Sequence, residues 1–422
     1  LMIEGSFTVT SGEDAVGLPN VCVSNGREVV QTDSDGRFAL DQRPEDRFVF
    51  VTVPSGYEVQ GSFFRRIGEG ENYNFSLRPN AASDATEFSF VQITDIHMSV
   101  DGGRSSDLQL REDLDKIYDD VGDRAAFIVA TGDLTNRATE EEFEAYLRGI
   151  EVCKLPLLNC IGNHDDNDTE AQGEHYQNAI GPTYYSFEYG HIHFIVYDCV
   201  GKEWRDPDHQ EDWVQADLAT IPPGSPVVML IHYPLGDRFY DQFRDHNIIA
   251  TFSGHWHCAR IFEDSGTIHY NTPTFCFGGI DQSPRAYRFC TVQDGKLTSE
   301  IRTLDARPFC GASFRPASED PDVSVAAAAQ PRPDANWPLF RGSPARTGQS
   351  TANPELPFSP AWKASSGAGL HQGSAILVDD CLIVGTQNED RPNASGLVAL
   401  DAATGTRRWE HTTASSIKLS PG

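Results

Sequence analysis

Positive charge is scarce in this sequence of 422 residues, in which 33 Lys and Arg residues face 62 Asp and Glu residues for a net charge of −29. A chain this acidic offers no broad basic patch, which excludes binding to the nucleic-acid backbone or to anionic lipid through such a patch. No apolar run approaches the roughly 18 residues that span a bilayer, so we expect no transmembrane helix. The opening residues LMIEGSF show no basic and apolar leader, so no signal peptide is visible.

Closely spaced cysteine pairs are also lacking. The nine cysteines are odd in number and scattered, and no two have the spacing C-x-x-C. This disfavours a zinc knuckle or a thioredoxin-type site. Several cysteines lie in apolar, strand-like runs, which favours buried free thiols for most of them.

The composition of the chain changes three times, which predicts four segments. Residues 1–82 alternate short β-rich runs with turn signals, and we predict a small antiparallel β-sandwich module. Residues 83–312 alternate apolar strands with amphipathic helical stretches, the pattern of an α/β layered domain. Residues 313–335 are rich in Ala, Pro, Ser and Asp and are predicted to be a linker, whereas residues 336–422 are β-rich again.

The last segment contains GLVALDAATGTRRWE, which predicts two strands around a turn at Thr404 and Gly405, with Trp409 in the second strand. This run resembles the PQQ-like β-propeller repeat, a resemblance of scaffold that does not imply a bound quinone. A propeller closes with about four to eight blades of four strands. Residues 336–422 have room for one blade and the start of another, so we expect a partial propeller, in a fragment of a longer protein or with an unusual cap.

Five motifs within residues 83–312 each follow an apolar strand run and carry acidic, amide or imidazole side chains. They are ITDIHMS with Asp95 and His97, ATGDLTN with Asp133, CIGNHDD with Asn163 and His164, LIHYP with His232, and SGHWH with His255 and His257. Side chains just past the carboxyl ends of strands converge at one edge of a sheet. We therefore expect these residues to form one site.

The chemistry of this set points to metal ions. Imidazole nitrogen mixed with carboxylate oxygen suits Zn²⁺, Mn²⁺, Fe or Ni better than Ca²⁺ or Mg²⁺. Seven such ligands exceed the needs of one tetrahedral ion and suit two ions that share a carboxylate. The glycines in GD, GN and GH are predicted to let the backbone turn sharply behind each ligand.

Other residues near the motifs have plainer interpretations. His191 and His193 alternate in HIHFIVYD, but they begin a strand and lack the glycine, so we interpret them as ordinary strand residues. Trp256 is interpreted as a packing residue rather than a platform for a base. Asp165 follows the GNH motif and either orients His164 or solvates the loop.

At the five motifs the sequence resembles the calcineurin-like metallophosphoesterase superfamily, and most closely its branch of class III cyclic-nucleotide phosphodiesterases. The run GPTYYSFEYGHIHFIVYDC is similar to the same branch. The resemblance implies a core of two packed β-sheets flanked by helices over residues 83–312. It also implies two divalent metal ions, one held by Asp95, His97 and His257, the other by Asn163, His232 and His255, with Asp133 bridging them.

The same resemblance implies that His164 is not bound to metal and lies near the leaving group, as general acid or as a stabiliser of charge on the phosphoryl oxygens. Purple acid phosphatases, a related group, place a metal-binding tyrosine three residues after the bridging aspartate. Asn136 stands at that position here, which disfavours a tyrosine-ligated iron site. The sequence has no G-x-S-x-G elbow, which is consistent with attack by a metal-bridging hydroxide rather than by a protein nucleophile.

We therefore expect a dinuclear metallophosphoesterase whose partner is a small phosphodiester, such as a cyclic nucleotide or a glycerophosphodiester. A phosphomonoesterase with the same site, and a non-catalytic binding or scaffold protein, are the alternatives. The β-rich segments beside the α/β domain favour a secreted or periplasmic protein. The absent leader and the odd number of thiols keep a cytoplasmic location open.

Overall fold

The computed structural model describes residues 2–11, 14–69, 73–101, 105–166, 173–200, 207–234, 243, 245–276, 284–304, 336–339, 361–364, 366, 370, 373–386, 395–413 and 417. The chain divides into two compact units. One comprises Leu1–Cys258 and Gly266–Ala306, and the other comprises Ala259–Ser265 and Arg307–Gly422. The predicted linker at residues 313–335 lies outside the described residues.

The first unit begins with two sheets of short strands. The strands are β1 (Met2–Ser11), β2 (Asp14–Val16), β3 (Cys22–Ser24), β4 (Val29–Gln31), β5 (Arg37–Asp41), β6 (Phe48–Val51), β7 (Tyr57–Val59), β8 (Phe64–Arg66) and β9 (Phe75–Pro79). One sheet has the order β2-β1-β9-β7 with β5 also paired to β1, and the other has the order β4-β3-β6-β8. Alternate side chains of a strand point to opposite faces, so β5 buries Phe38 and Leu40. They join an apolar cluster from both sheets that also contains Val21, Val23, Val49, Val51, Phe75 and Leu77.

The wholly antiparallel pairing predicted for residues 1–82 is wrong for one pair of strands. β1 and β9 are parallel, with Phe7 opposite Phe75 and Val9 opposite Leu77. A parallel pair needs a long crossover rather than a hairpin, and here the strands between β1 and β9 supply it. Turn signals report pairing between neighbouring strands, so they carried no information about this pairing between the first and last strands.

Eleven strands and four helices follow. The strands are β10 (Phe88–Ile93), β11 (Ala125–Thr131), β12 (Leu157–Cys160), β13 (Tyr185–Tyr189), β14 (Ile192–Val196), β15 (Pro226–Leu230), β16 (Asn247–Ser253), β17 (Arg260–Asp264), β18 (Thr267–Asn271), β19 (Ala286–Gln293) and β20 (Lys296–Thr303). The helices are α1 (Asp107–Val121), α2 (Glu140–Ile150), α3 (Glu174–Ala179) and α4 (Pro207–Leu218). Ten of these eleven strands, all but β17, lie in the first unit and form two mixed sheets, one in the order β12-β11-β10-β19-β20 and one containing β13-β14-β15-β16-β18. This is the α/β architecture with flanking helices that the sequence predicted.

Aromatic side chains join these two mixed sheets. Phe90 of β10 stacks on Phe127 of β11 with ring centroids 5.1 Å apart. Across the interface, Phe90 meets Phe194 of β14 edge-on at 5.7 Å and Phe252 of β16 at 5.4 Å. Buried aromatic pairs in such geometry add to the stabilisation from apolar burial, so the sheets are held as one layered core.

The helices begin where capping residues place them. The Ser106 side chain accepts a hydrogen bond from the backbone N of Gln109 at the start of α1, and Thr139 does the same for Glu142 at the start of α2. Such caps satisfy amide groups that have no partner within the helix. Among the described helices, none is both long and apolar enough to cross a membrane.

The described cysteines are free thiols, as the sequence predicted, but only some of them are buried. Cys160, Cys199 and Cys290 are buried free thiols, whereas Cys22 and Cys153 are free but half-buried. Burial raises the pKa of all five thiols. A thiol with a raised pKa is a poor nucleophile, so these cysteines are structural.

His193 of β14 belongs to a buried polar network rather than to an exposed strand face. Its Nε2 lies 2.7 Å from Oδ2 of Asp217 in α4. The Ser186 hydroxyl donates to Oδ1 of Asp217 at 2.8 Å and lies 2.9 Å from the Thr52 hydroxyl. The network therefore links α4 and β13 to the N-terminal strands.

The ion pair predicts how stability depends on pH. Burial alone would lower the pKa of His193, but the Asp217 carboxylate outweighs burial and raises it to about 9. An unfolded histidine titrates near ~6.5, so the pair stabilises the fold fully below that pH, and this stabilisation is lost as the pH rises through the folded value. We expect His193→Gln to lower the free energy of unfolding by roughly 3 kcal/mol at about pH 6 and by much less at about pH 9.5. Urea unfolding at both pH values measures this.

A neighbouring histidine provides the control. His191 is exposed, with its Nε2 3.3 Å from Oδ1 of Asp84, and an exposed pair contributes little to stability. We expect His191→Gln to change the free energy of unfolding little at either pH. An equal loss for His193→Gln at both pH values would contradict the charged-pair explanation.

The second unit contains a four-stranded antiparallel sheet. Its strands, β21 (Ile376–Val378), β22 (Cys381–Thr386), β23 (Ser395–Asp401) and β24 (Arg407–Thr413), follow one another in that order. The turn between β23 and β24 is the predicted one, where the Asp401 carboxylate accepts hydrogen bonds from the backbone N of Ala403 and of Thr404. The Trp362 indole, which is not part of this hairpin, donates a hydrogen bond to the carbonyl of Ala402 at 2.9 Å and so helps to hold the turn.

Candidate metal centre

The predicted site residues follow five strands of the two mixed sheets. They are Asp95 and His97 after β10, Asp133 after β11, Asn163 and His164 after β12, His232 after β15, and His255 and His257 after β16. The carboxyl ends of parallel strands lie at one edge of a sheet. The five strands belong to two sheets, and the structure brings the side chains together where these edges of the two sheets meet.

A first cluster contains Asp95, His97, Asp133 and His257. Nε2 of His257 lies 3.0 Å from Oδ1 of Asp95 and 3.3 Å from Nε2 of His97. Nε2 of His97 is 3.5 Å from Oδ2 of Asp133. These nitrogen and oxygen atoms all lie within 4.8 Å of one another, as ligands of one ion would.

A second cluster contains Asp133 again, with His232 and His255. Nε2 of His232 lies 3.2 Å from Oδ1 of Asp133 and 3.0 Å from Oδ1 of Asn163. The rings of His232 and His255 are 5.3 Å apart. Asp133 thus turns one carboxylate oxygen to each cluster, and Asn163 adds its oxygen to the second.

The charges of the cluster residues suit cation binding. Burial alone would raise the pKa of Asp133, but His232 and His97 outweigh it, and the pKa falls well below its usual range. Burial lowers the pKa of His97 to about 4, so its imidazole is neutral near pH 7 and keeps a lone pair. Electron-pair donors of this kind, crowded around an ionised carboxylate, form the donor set that divalent metal ions take. The residues present therefore fit two such ions.

Comparison with known families identifies the domain that carries this site. Residues 88–259 match the family model described as calcineurin-like phosphoesterase, and residues 3–80 match the model described as the N terminal of calcineurin-like phosphoesterase. Residues 88–259 are a calcineurin-like phosphoesterase domain. The protein is therefore a hydrolase of phosphoesters.

Individual relatives are distant from the chain. It is 24% identical over 267 residues to a protein of Psychrobacter arcticus named as a probable cyclic nucleotide phosphodiesterase. The aligned region covers 51% of this chain and 93% of the relative. A solved dimetal phosphatase from Danio rerio is 14% identical, with a TM-score of 0.36 over 52% of this chain and 96% of that one. A purple acid phosphatase from yellow lupin (Lupinus luteus) seeds is 15% identical, with a TM-score of 0.41 over 72% of this chain and 66% of that one.

The backbone of the phosphoesterase domain is unusual at the cluster residues. Five of the seven predicted metal ligands have a positive φ between 47° and 64°, namely Asp95, His97, Asp133, His255 and His257. Non-glycine residues seldom adopt this left-handed conformation, and it concentrates where function demands a particular side-chain direction. Ala138 and His191 of the same domain share this conformation, so the left-handed backbone is frequent at the two clusters but not confined to them.

Two glycines of the motifs are needed for space rather than for a sharp turn. A Cβ at Gly162 would overlap the backbone N of Asp133, and a Cβ at Gly254 would overlap the Thr94 hydroxyl beside Asp95. Neither glycine has a positive φ, so the prediction of a glycine-dependent turn holds only for Gly132, whose φ is 87°. Their missing side chains let the loops approach closely enough to bring the clusters together.

His164 lies outside both clusters. Its Nδ1 is 2.7 Å from the Asn136 carbonyl, and because a carbonyl only accepts, Nδ1 must carry a proton. Its backbone N donates to Oδ1 of Asp133 at 2.8 Å, and its ring packs edge-on against His97 at 4.6 Å. The tautomer is thereby fixed, and Nε2 is the ring nitrogen that can exchange a proton.

Asp165 neither orients the His164 side chain nor solvates the loop, so both sequence interpretations are wrong. Its buried carboxylate accepts hydrogen bonds from the backbone N of Gly162, Leu134 and Thr135 at 2.9, 3.0 and 2.7 Å. Burial and the charge of Asp133 raise its pKa to about 7, although these donors oppose the rise. Asp165 therefore ties the loop after β12 to the loop after β11.

Trp256 lies between the ligands His255 and His257 with 39% of its surface exposed. The Tyr233 ring lies 4.3 Å from that of His255, edge to face. Aromatic side chains therefore border the second cluster.

Sequence reasoning missed a layer of polar residues behind the clusters: Gln92, Thr94, Thr131, Thr272 and Arg288, all fully buried. A signal for two of them was present. Gln92 interrupts the apolar run FSFVQI, and Arg288 interrupts AYRFC. Polar side chains are rarely buried in a central strand without hydrogen-bonding partners, so such interruptions mark candidates for supporting roles.

Proposed function

We propose that this protein hydrolyses phosphodiesters of small molecules at a dinuclear metal centre. The observation that carries the proposal is the position of Asp133, whose carboxylate belongs to two clusters of ligand atoms at once. One carboxylate shared by two ligand sets is the arrangement of two-metal hydrolytic sites.

The proposed ligands divide as the resemblance implied. Asp95, His97 and His257 would hold one ion, Asn163, His232 and His255 the other, and Asp133 both. Two divalent ions supply Lewis acidity, which lowers the pKa of water and offsets charge on phosphoryl oxygens. The protein holds its donors in place through the strand ends and through Asp165. When its imidazole is doubly protonated, His164 would give the proton on Nε2 to the departing oxygen and would be left as the neutral ring with its proton on Nδ1.

The preference for diesters rests on charge and on one relative. A phosphodiester carries one negative charge near neutral pH and a monoester nearly two, and a chain of net charge −29 repels the more highly charged substrate more strongly. The similarity to the Psychrobacter arcticus protein, named as a cyclic nucleotide phosphodiesterase, supports the same choice. The proposed partner is therefore a small phosphodiester and not a nucleic-acid backbone.

The flanking segments carry two further proposals. We infer that residues 1–82 form a β-sandwich module, supported by the apolar cluster shared between their two sheets. We infer that residues 336–422 contain a PQQ-like propeller blade, supported by the four-stranded sheet β21–β24. Such modules favour a secreted or periplasmic location, which cell fractionation of the native source would test.

The test of function combines elemental analysis with turnover on one purified sample. Hydrolysis of bis-p-nitrophenyl phosphate and of p-nitrophenyl phosphate is measured before chelation, after it, and after addition of Mn²⁺ or Zn²⁺. We expect about two ions per chain and chelator-sensitive hydrolysis that favours the diester. A preference of about tenfold for the monoester would support the phosphatase alternative, and bound metal without turnover on a broad panel would support the scaffold alternative. A folded protein that takes up no metal would contradict the proposal.

A further inference from the structure

A chain of buried hydrogen bonds runs from Arg288 to the strand that precedes Asp133. Nε of Arg288 lies 2.9 Å from the Thr272 hydroxyl, which in turn bonds to Oε1 of Gln92. Nε2 of Gln92 lies 2.7 Å from the hydroxyl of Thr131, the last residue of β11. All four side chains are fully buried, with a relative exposure of 0%. Gln92 and Arg288 are direct cross-strand partners on β10 and β19, which places both on one face of the sheet.

The direction of these hydrogen bonds follows from chemistry. A guanidinium only donates, so the Thr272 hydroxyl accepts from Arg288, and it donates its own proton to the amide oxygen of Gln92. The NH₂ group of Gln92 in turn donates to the Thr131 hydroxyl. Each group in the chain thus has a partner of the right kind. We call Arg288, Thr272, Gln92 and Thr131 the polar relay.

Thr131, the last residue of the polar relay, contacts the candidate ligands through its backbone carbonyl rather than through the hydroxyl that Gln92 holds. The Thr131 carbonyl lies 2.9 Å from Nδ1 of His232, which must donate to it. Nε2 of His232 is thereby left to face Asp133. The same carbonyl is 3.1 Å from the Thr94 hydroxyl, which also lies 2.9 Å from Oδ2 of Asp95. The Thr131 carbonyl thus contacts His232 of the second cluster directly, and it contacts Asp95 of the first cluster through the Thr94 hydroxyl.

The polar relay also holds the end of a third ligand-bearing strand. Nε2 of Gln92 lies 3.4 Å from the carbonyl of Ser253, the last residue of β16. The backbone N of Thr272 donates to the same carbonyl at 3.1 Å. Gly254 and His255 follow directly, so displacement of Gln92 or Thr272 would move the loop that carries His255.

We propose that Arg288, Thr272 and Gln92 are positioning residues for the metal centre, which fix the place of Thr131 and the spacing of the three strand ends. The proposal rests on the proposed two-metal function. Partners in the layer outside metal ligands commonly change metal affinity by about 10- to 100-fold when removed. Because these residues touch no substrate, their loss acts through the metal ligands and not through substrate binding.

The decisive comparison is Thr272→Val against Thr272→Ser. Valine keeps the shape of threonine and removes the hydroxyl, whereas serine keeps the hydroxyl and breaks no bond of the relay. Ser299→Ala is a second control, because the Ser299 hydroxyl lies 3.0 Å from Nη1 of Arg288 but outside the path to the ligands. Mn²⁺ affinity is measured by titration calorimetry on metal-free protein, beside circular dichroism and hydrolysis of bis-p-nitrophenyl phosphate.

We expect Thr272→Val to weaken Mn²⁺ affinity by about tenfold or more, while both controls stay within about threefold of wild type. At saturating Mn²⁺ we expect the KM of the variant to be close to that of wild type. If Thr272→Val does not fold, Gln92→Met interrupts the same chain with an unbranched side chain of similar length, and the same loss of affinity is expected. Wild-type-like affinity in the folded valine or methionine variant would overturn this inference alone. Failure of the wild type to bind Mn²⁺ would overturn the proposed function, and this inference with it.

Discussion

Replacement of Asp133 by asparagine is expected to abolish metal binding and hydrolysis together. Asparagine keeps the shape of the side chain, but it removes the negative charge and leaves one oxygen where two are needed. Because Asp133 faces both ligand clusters, the loss should affect both ions and should exceed the roughly 10- to 100-fold loss of affinity typical for a residue outside the ligand layer. Elemental analysis after dialysis and turnover of bis-p-nitrophenyl phosphate measure the two effects on one sample.

The same substitution at the other end of β11 is the control. Asp123 precedes that strand, at its amino end and therefore opposite the end that carries Asp133, and it accepts a hydrogen bond from the Tyr118 hydroxyl at 3.2 Å. We expect Asp123→Asn to retain metal and activity. Two ions per chain in Asp133→Asn, with normal turnover, would remove Asp133 from the site and would contradict the shared-carboxylate arrangement.

The convergence of the candidate ligands could be predicted from the sequence because much of the information about it is local. Each motif directly follows an apolar run, and within each of the two mixed sheets the parallel strands bring their carboxyl ends to one edge whatever their exact register. Packing of the two sheets then places Asp95, which follows β10, beside His255, which follows β16, although 160 residues separate them. The α/β alternation of residues 83–312 could be predicted for the same reason, since periodicity and capping residues act within one element.

The supporting residues could not be predicted, because their roles depend on which side chains the fold buries beside one another. Asp165 has the same local pattern as a solvated loop aspartate, yet its carboxylate is the acceptor that joins two loops. Arg288 and Gln92 are close because β10 pairs with β19, which lies nearly 200 residues further along the chain. The parallel pairing of β1 with β9 was hidden in the same way. Residue 162 must be glycine because the backbone of Asp133 leaves no space for a Cβ there, and this contact between two loops is not visible in the sequence.

Replacement of His164 by alanine is expected to leave both ions in place and to lower kcat by about 10²- to 10⁴-fold. His164 belongs to neither cluster, and its contact with Asp133 is made by its backbone N, which alanine retains. What the variant loses is the ring whose Nδ1 is anchored on the Asn136 carbonyl and whose Nε2 can give a proton. Metal content by elemental analysis and kcat on the same sample test both halves of this expectation.

His175→Ala is the matched control, because His175 makes the same kind of contact in the same region. Its Nδ1 lies 2.8 Å from the Ala138 carbonyl, but its ring does not belong to either cluster. We expect normal metal content and normal turnover from that variant. Loss of metal in His164→Ala would show that the residue supports the ligands and would contradict its assignment as a proton donor.

The leaving group distinguishes the two roles that His164 can take. A general acid matters most when the departing oxygen is strongly basic, as in an alkyl diester, and least for p-nitrophenolate, which leaves without protonation. A residue that only stabilises charge on the phosphoryl oxygens should matter about equally for both. We therefore expect the loss of kcat in His164→Ala to be clearly larger for a glycerophosphodiester than for bis-p-nitrophenyl phosphate. Equal losses would assign His164 to charge stabilisation, because the Nε2 proton would then not be transferred in the rate-limiting step.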